Sequence, residues 1–278
     1  MATSATDHEG EDTMHDKSTR LTMLSGCIIL VIFGFGCDRR EHGTTPMKAT
    51  AAVIDSTSLA HASSAVHDPA HPPIDCPLHK QGVNPAHLKP FEDVEKYIAF
   101  LERPDRAVWQ KPDAVVSALG LKGTETVVDL GAGSGYFAFR IAKALPNGKV
   151  IAADTEAEMV RHVHHKVMTE GVRNLEARLI SQADPAVSEQ TDLVFVCDVL
   201  HHVSDRREWL TKLAQPLKTG SRLVLIEFRE GKLPEGPPES MKIPRAELVS
   251  LATQSGFTLE REVANVLPYQ VFLVFTRI

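Results

Sequence analysis

One short stretch carries the clearest chemical signal. Gly131, Gly133 and Gly135 alternate within Asp129-Leu130-Gly131-Ala132-Gly133-Ser134-Gly135, with an acid two residues before the first glycine. Glycines let the backbone approach a bound molecule where side chains would clash. The stretch follows a β-branched run and opens a helical pattern, the setting that makes a glycine-rich turn credible as a nucleotide site. Dinucleotide spacing, G-x-G-x-x-G, demands a third glycine at 136; Tyr136 stands there. Asp154 lies 23 residues beyond Gly131, where a carboxylate can accept both hydroxyls of a ribose. His201 and His202 follow a fourth candidate strand at its carboxyl end, where open α/β sheets bind ligands. An imidazole titrates near neutral pH, so either can act as a general base; the alternative is a loop histidine that only shapes the pocket.

Other candidates have plainer readings. Cys76-Pro77-Leu78-His79 has the gap that lets a thiolate and an imidazole meet one metal ion, and His61, His67, His71 and His87 lie nearby. No second close ligand pair completes a closed site, so the stretch reads as a polar linker carrying histidines. His162, His164 and His165 share one helical segment and read as a solvated helix face. Cys197 reads as a small core residue. Trp109 either lines a pocket mouth or packs a helix onto the sheet.

The elements that position these residues alternate strand and helix. Phe91 to Leu101 and Ala107 to Leu119 have helical spacing, with Pro112 near a helix start. Strands are expected at Thr126–Leu130, Lys149–Ala153, Leu175–Ile180, Asp192–Val196 and Arg222–Phe228. Helices are expected at Tyr136–Leu145, Glu156–Glu170, Arg207–Leu217 and Arg245–Ser255. Gly171 suits the left-handed position after a helix end. Two late strands, Thr258–Val263 and Gln270–Thr276, are close enough to pair antiparallel. Repeated β-α units of this kind make an α/β, doubly wound sheet with helices on both faces.

The formal net charge of −6, from 30 basic and 36 acidic residues, gives no support for a nucleic-acid partner. Composition is that of a globular protein, and four cysteines in 278 residues exclude a small disulfide scaffold.

The G-x-G-x-G turn with Asp129 and Asp154 resembles the first motifs of class I S-adenosylmethionine-dependent methyltransferases, over roughly residues 90–278. The resemblance implies a Rossmann-like sheet of order 3-2-1-4-5-7-6 with strand 7 antiparallel. It implies S-adenosylmethionine as cofactor, held by Asp129, Gly131, Ala132, Gly133, Gly135, Asp154, Thr155, Asp184 and Asp198. Asp129 would hold the cofactor's ammonium, Asp154 the ribose, and Asp184 the adenine amino group. Asp198-Val199-Leu200-His201-His202-Val203 is similar to the segment many small-molecule members carry after strand 4. The implied reaction is in-line methyl transfer to a small-molecule acceptor. No Asn-Pro-Pro-Tyr or Asp-Pro-Pro-Tyr motif, as used by amino-methylating DNA enzymes, follows strand 4, and only Cys76 and Cys197 lie in the globular part as thiolates, against a metalloid acceptor. The broad relatives are of the quinone- and arsenite-methylating type.

The first 90 residues read differently. Leu21 to Gly36 is a 16-residue apolar run behind Lys17 and Arg20, shorter than a membrane-spanning helix requires. With Cys37 directly after it, the run resembles a bacterial lipoprotein signal. Gly34 departs from the usual leucine, and Leu24-Ser25-Gly26-Cys27 fits the letters better but has almost no apolar run before it. Met14 is a more natural start than Met1. The expected organisation is a signal or anchor segment over 1–37, a His/Pro-rich linker over 38–90 and a methyltransferase domain over 91–278, associated with a bacterial cell membrane. Export would separate the domain from S-adenosylmethionine. A second reading therefore stands beside the enzyme: a membrane-tethered ligand- or metal-binding protein on a degenerate methyltransferase scaffold.

Overall fold

Period-two burial of the central strands sorts the core into two layers, one on each face of a single sheet. The computed structural model describes residues 76–84, 88, 91–181, 185 and 187–278. The signal and anchor segment, His61, His67, His71, His87 and Asp184 lie outside these described residues.

The strands are β1 (Thr126–Leu130), β2 (Lys149–Asp154), β3 (Leu175–Leu179), β4 (Leu193–Cys197), β5 (Arg222–Phe228), β6 (Phe257–Glu262) and β7 (Gln270–Arg277). Their order is β3-β2-β1-β4-β5-β7-β6, as expected. β1 to β5 are parallel, and β7 runs antiparallel between β5 and β6. Val127, Val150, Leu193, Phe195, Val224 and Ile226 face one layer, where Ile141, Val160 and Val163 pack on them. Val128, Leu130, Val194, Val196, Leu223 and Leu225 face the other, against Trp209, Leu210, Leu213 and Leu248. Alternate side chains of a strand point to opposite faces, so β4 and β5, buried on both, read as unbroken apolar runs.

Three expectations are corrected by packing. The helical stretch 107–119 is two helices, α3 (Arg106–Gln110) and α4 (Pro112–Ala118). Lys111 between them has φ 41°. Proline at 112 disfavours the right-handed helical region for the residue before it and suits the first position of a new helix. The histidines of α6 (Ala157–Glu170) do not form a solvated face. α2 (Phe91–Leu101) lies on α6 through Val94, Ile98 and Met159. Just past its end, Glu102 takes Lys166 at 3.0 Å and approaches His162 at 3.9 Å. Hydrogen bonding to His162, then to Lys166, holds the Glu102 carboxyl down at about 2.

The stretch after Cys76 is also not simply linker. α1 (Pro77–Lys80) packs against α6 and β3. Cys76 and Leu78 are fully buried in the core while His79 is exposed, so the Cys-His gap serves packing here. The Gln81 amide exchanges two hydrogen bonds with the backbone of Leu179, at 2.8 and 3.2 Å. It thereby occupies part of the outer edge of β3, a row of backbone groups that must be covered or paired. Among the described residues, packed structure thus includes Cys76–Lys80, ahead of residue 91.

Leu78→Ala in the full chain is expected to lower unfolding stability by about 2–4 kcal/mol, the usual cost of emptying a buried leucine site. Urea unfolding followed by circular dichroism measures it, and an unchanged midpoint would detach α1 from the core.

Candidate active site

The glycine turn is held from two directions. The N–H groups of Gly131 and Ala132 both donate to the Ala153 carbonyl on β2, at 2.8 and 3.1 Å. From the other side Val199, just past β4, presses on the turn. A Cβ at Gly131 would lie 2.4 Å from Val199 Cγ2, and its φ is +70°; only glycine meets both conditions. Gly135 is required for packing, since a Cβ there would lie 2.8 Å from the Phe139 ring.

Asp154 ends β2 and faces this turn. Its Oδ2 accepts the Gly133 N–H at 2.8 Å and its Oδ1 the Glu156 N–H at 2.9 Å. Burial nevertheless holds its pKa above the ordinary aspartate value. Beside the turn, Leu130, Gly131, Thr155, Ile180, Val199, His202, Val203 and Trp209 enclose a small cavity of about 90 Å³ with Ser181. A larger cavity of about 410 Å³ opens between α2, α3 and the carboxyl ends of β4 and β5. Phe100, Trp109, Phe228, Pro238 and Met241 give it apolar walls, and Arg106, Asp198, His201 and His202 its polar ones. Trp109 both lines this cavity and packs on Phe228 and Tyr269, with ring centroids 5.6 and 6.2 Å apart. At the rim, Arg103 stacks over Phe100 at 4.5 Å and pairs with Glu235.

Two aspartates approach the site from the strand ends. Asp129 is buried, and its Oδ2 has no hydrogen-bond partner. Burial, then the neighbouring Asp154, pushes its pKa up to about 7, against the pull of Arg106 and the Ala138 N–H. Asp198 has φ 59° and is gripped by two amides, Gln110 Nε2 at 2.9 Å and Gln270 Nε2 at 2.6 Å. Burial and the Glu227 charge raise it to about 6. Cys197 is a core thiol, its pKa driven well up by burial.

The histidines differ in kind. His201 is buried, and its Nδ1 meets Glu227 Oε2 at 2.8 Å. The other oxygen, Oε1, accepts the Leu200 N–H at 2.7 Å, so Glu227, itself 2% exposed, fixes both the backbone and the ring. Burial works to lower the His201 pKa, but the Glu227 hydrogen bond and charge prevail and raise it. His202 is exposed, with its ring centroid 4.1 Å from that of His201. Burial of part of the ring and the His201 charge lower its pKa.

The fold thus gathers Asp129, the three glycines, Ala132, Asp154, Thr155, Asp198, His201 and His202 at one end of the sheet. It adds Arg106, Gln110, Glu227 and Gln270, which no spacing in the chain announces. Gln110 lies 88 residues from Asp198 and Gln270 lies 72 residues from it.

The profile of a family described as a methyltransferase domain matches residues 128–223, the span holding the turn, Asp154, Asp198 and both histidines. This segment is thus similar to methyltransferase domains. An uncharacterized methyltransferase of Mycobacterium tuberculosis is 30% identical over 124 residues, 45% of this chain and 61% of its own length. The ubiquinone/menaquinone biosynthesis C-methyltransferase of Syntrophotalea carbinolica is 27% identical over 117 residues, 42% of this chain and 49% of its own. The chain thus spans about half to three fifths of the curated relatives it matches. The crystal structure of a SAM-dependent methyltransferase from Aquifex aeolicus is similar with a TM-score of 0.62 and 25% identity, over 66% of this chain and 98% of that one. The cofactor that fold and relatives support is S-adenosylmethionine.

Asp129 makes this site a source of instability. Its folded pKa of about 7 exceeds the ordinary 3.8. Between those values the folded state keeps a proton that the unfolded state has lost, so stability falls as pH rises. Asp129→Asn is therefore expected to raise the melting temperature at about pH 8 by the equivalent of a few kcal/mol, and little near pH 4. Calorimetric melts at both pH values test this; an equal effect at the two would exclude the buried charge as its cause.

Proposed function

We propose that the protein transfers the methyl group of S-adenosylmethionine to an oxygen or acidic carbon of an apolar small molecule, with His201 as the general base. The His201–Glu227 pair on the wall of the larger cavity carries this reading. With Nδ1 engaged by Glu227, Nε2 is the nitrogen left to meet an acceptor, and the carboxylate stabilises the imidazolium formed when the proton arrives. An acceptor that is already ionised, such as a thiolate, would not need such a base.

The residues fit the cofactor. Buried Asp129, with one carboxylate oxygen unpartnered, is complementary to an ammonium group. Asp154 keeps lone pairs for ribose hydroxyls beyond its two backbone bonds, and its tie to Gly133 sets the carboxylate at the turn. The small apolar cavity beside Gly131 suits the adenine, with Asp184 next in sequence after its lining residue Ser181 by three positions. Asp198 is held by two amides where the methionyl part and the acceptor would meet. The cofactor supplies a methyl group already activated by the sulfonium charge. What the chain must add is alignment, exclusion of water and a place for the proton. His202 lines both cavities and, held toward its neutral form, forms part of the wall between cofactor and acceptor.

Aromatic walls and the relative named for ubiquinone and menaquinone biosynthesis support a ring-bearing, apolar acceptor. The apolar run Leu21–Gly36 and Cys37 support attachment to a bacterial membrane by a lipid or signal anchor, close to where such an acceptor partitions.

His201→Ala is expected to leave cofactor binding intact and to lower transfer about 10²–10⁴-fold. Calorimetry and transfer of labelled methyl to a panel of quinols and phenols measure the two. Transfer should rise with pH as His201 loses its proton, above the range of an ordinary histidine. Glu227→Gln removes the charge that raises the His201 pKa and should move that rise to lower pH. An unmoved profile would take the base role from His201, and a wild type that binds no S-adenosylmethionine would overturn the enzyme reading.

A further inference from the structure

Among the described residues, the site holds a cation, Arg106, that no carboxylate neutralises directly. Arg106, on α3, makes no ion pair among the described residues, whereas the neighbouring Arg103 is paired with Glu235. Its guanidinium is nonetheless firmly placed. Nε donates to Gln110 Oε1 and Nη1 to the Leu101 carbonyl at the end of α2. The plane lies 4.1 Å over the ring of Tyr136, the residue directly after the glycine turn, and Arg140 stacks on the same ring at 4.2 Å. A guanidinium has five N–H donors, so three remain. Arg106 lines a cavity shared with Asp198 and His201, and its charge reaches Asp129 and Asp198.

An arginine held between two buried aspartates without pairing to either is matched to a ligand that brings both charges. The methionyl part of S-adenosylmethionine carries an ammonium and a carboxylate on one carbon. Asp129 answers the ammonium and leaves the carboxylate without a counter-charge. We infer that Arg106 binds that carboxylate, as a fork across two N–H groups. The inference rests on the cofactor reading above. It also assigns a role to the segment before β1: α3 completes the cofactor site from outside the part of the chain that the family profile covers.

Calorimetry on the full chain with three ligands tests it. S-Adenosylmethionine carries both charged groups, its decarboxylated analogue keeps the ammonium alone, and 5′-methylthioadenosine has neither. The wild type should prefer S-adenosylmethionine over the decarboxylated analogue by about 10–100-fold, the range of a charge-assisted hydrogen bond pair. Arg106→Gln should erase that preference while holding the other two ligands within about twofold. Arg106→Lys, which keeps the charge and loses the fork, should retain part of it. An equal loss for all three ligands in both variants would make Arg106 a structural residue. An undiminished preference in Arg106→Gln would place the carboxylate elsewhere. If the wild type binds none of the three, the cofactor reading itself fails.

Discussion

The close approach of Gly131 to Val199 is the constraint on which the site depends. With no side chain at 131, the turn sinks between the carbonyl of Ala153 on β2 and the segment leaving β4. That seating brings the ends of three adjacent strands to one level. Asp129, Asp154 and Asp198 then converge because β2 and β4 flank β1 in register. A larger residue at 131 would have to push Val199 aside, and His201 and His202 follow directly on the same segment. Cofactor groups and acceptor groups therefore share one mechanical origin.

The same convergence concentrates negative charge where water is scarce. Three carboxyl groups whose pKa values are raised, and a fourth, Glu227, tied to His201, share one end of the sheet. Preorganised polar groups of this kind cost folding energy and are tolerated where they serve a ligand. Glu227 differs from the others: both its oxygens are engaged within the protein, so it supports structure in every state. Asp129 has one unpartnered oxygen, and the Ala138 N–H and the charge of Arg106 offset its burial only in part.

Much of this was legible from the chain. Alternating strand and helix patterns lead to the doubly wound sheet and its ligand-binding end, because these signals are local or follow from topology rules; the strand order comes from the family resemblance carried by the glycine spacing and Asp154. Gly171 as a helix stop and Pro112 as a helix start were equally local. The partners of Asp198 and His201 were not legible. Gln110, Glu227 and Gln270 meet them only through the sheet's crossovers, and a lone glutamine or a strand-end glutamate has no pattern of its own. The histidines of α6 were misjudged for the same reason: helical periodicity identifies a polar face but not the second helix that covers it. Cys76 and Leu78 were read with the linker because a four-residue helix carries too little periodicity to stand out from the polar chain around it.

The ion pair between Arg103 and Glu235 bears on the rim of the larger cavity. It joins the end of α2 to the segment after β5 across the rim of the larger cavity, and both side chains are partly exposed, at 20% and 33%. Pairs in such positions contribute about 0–1 kcal/mol, only one or two times the thermal energy. A contact that weak restrains the rim only slightly, and because both partners meet solvent the restraint weakens further as ionic strength rises.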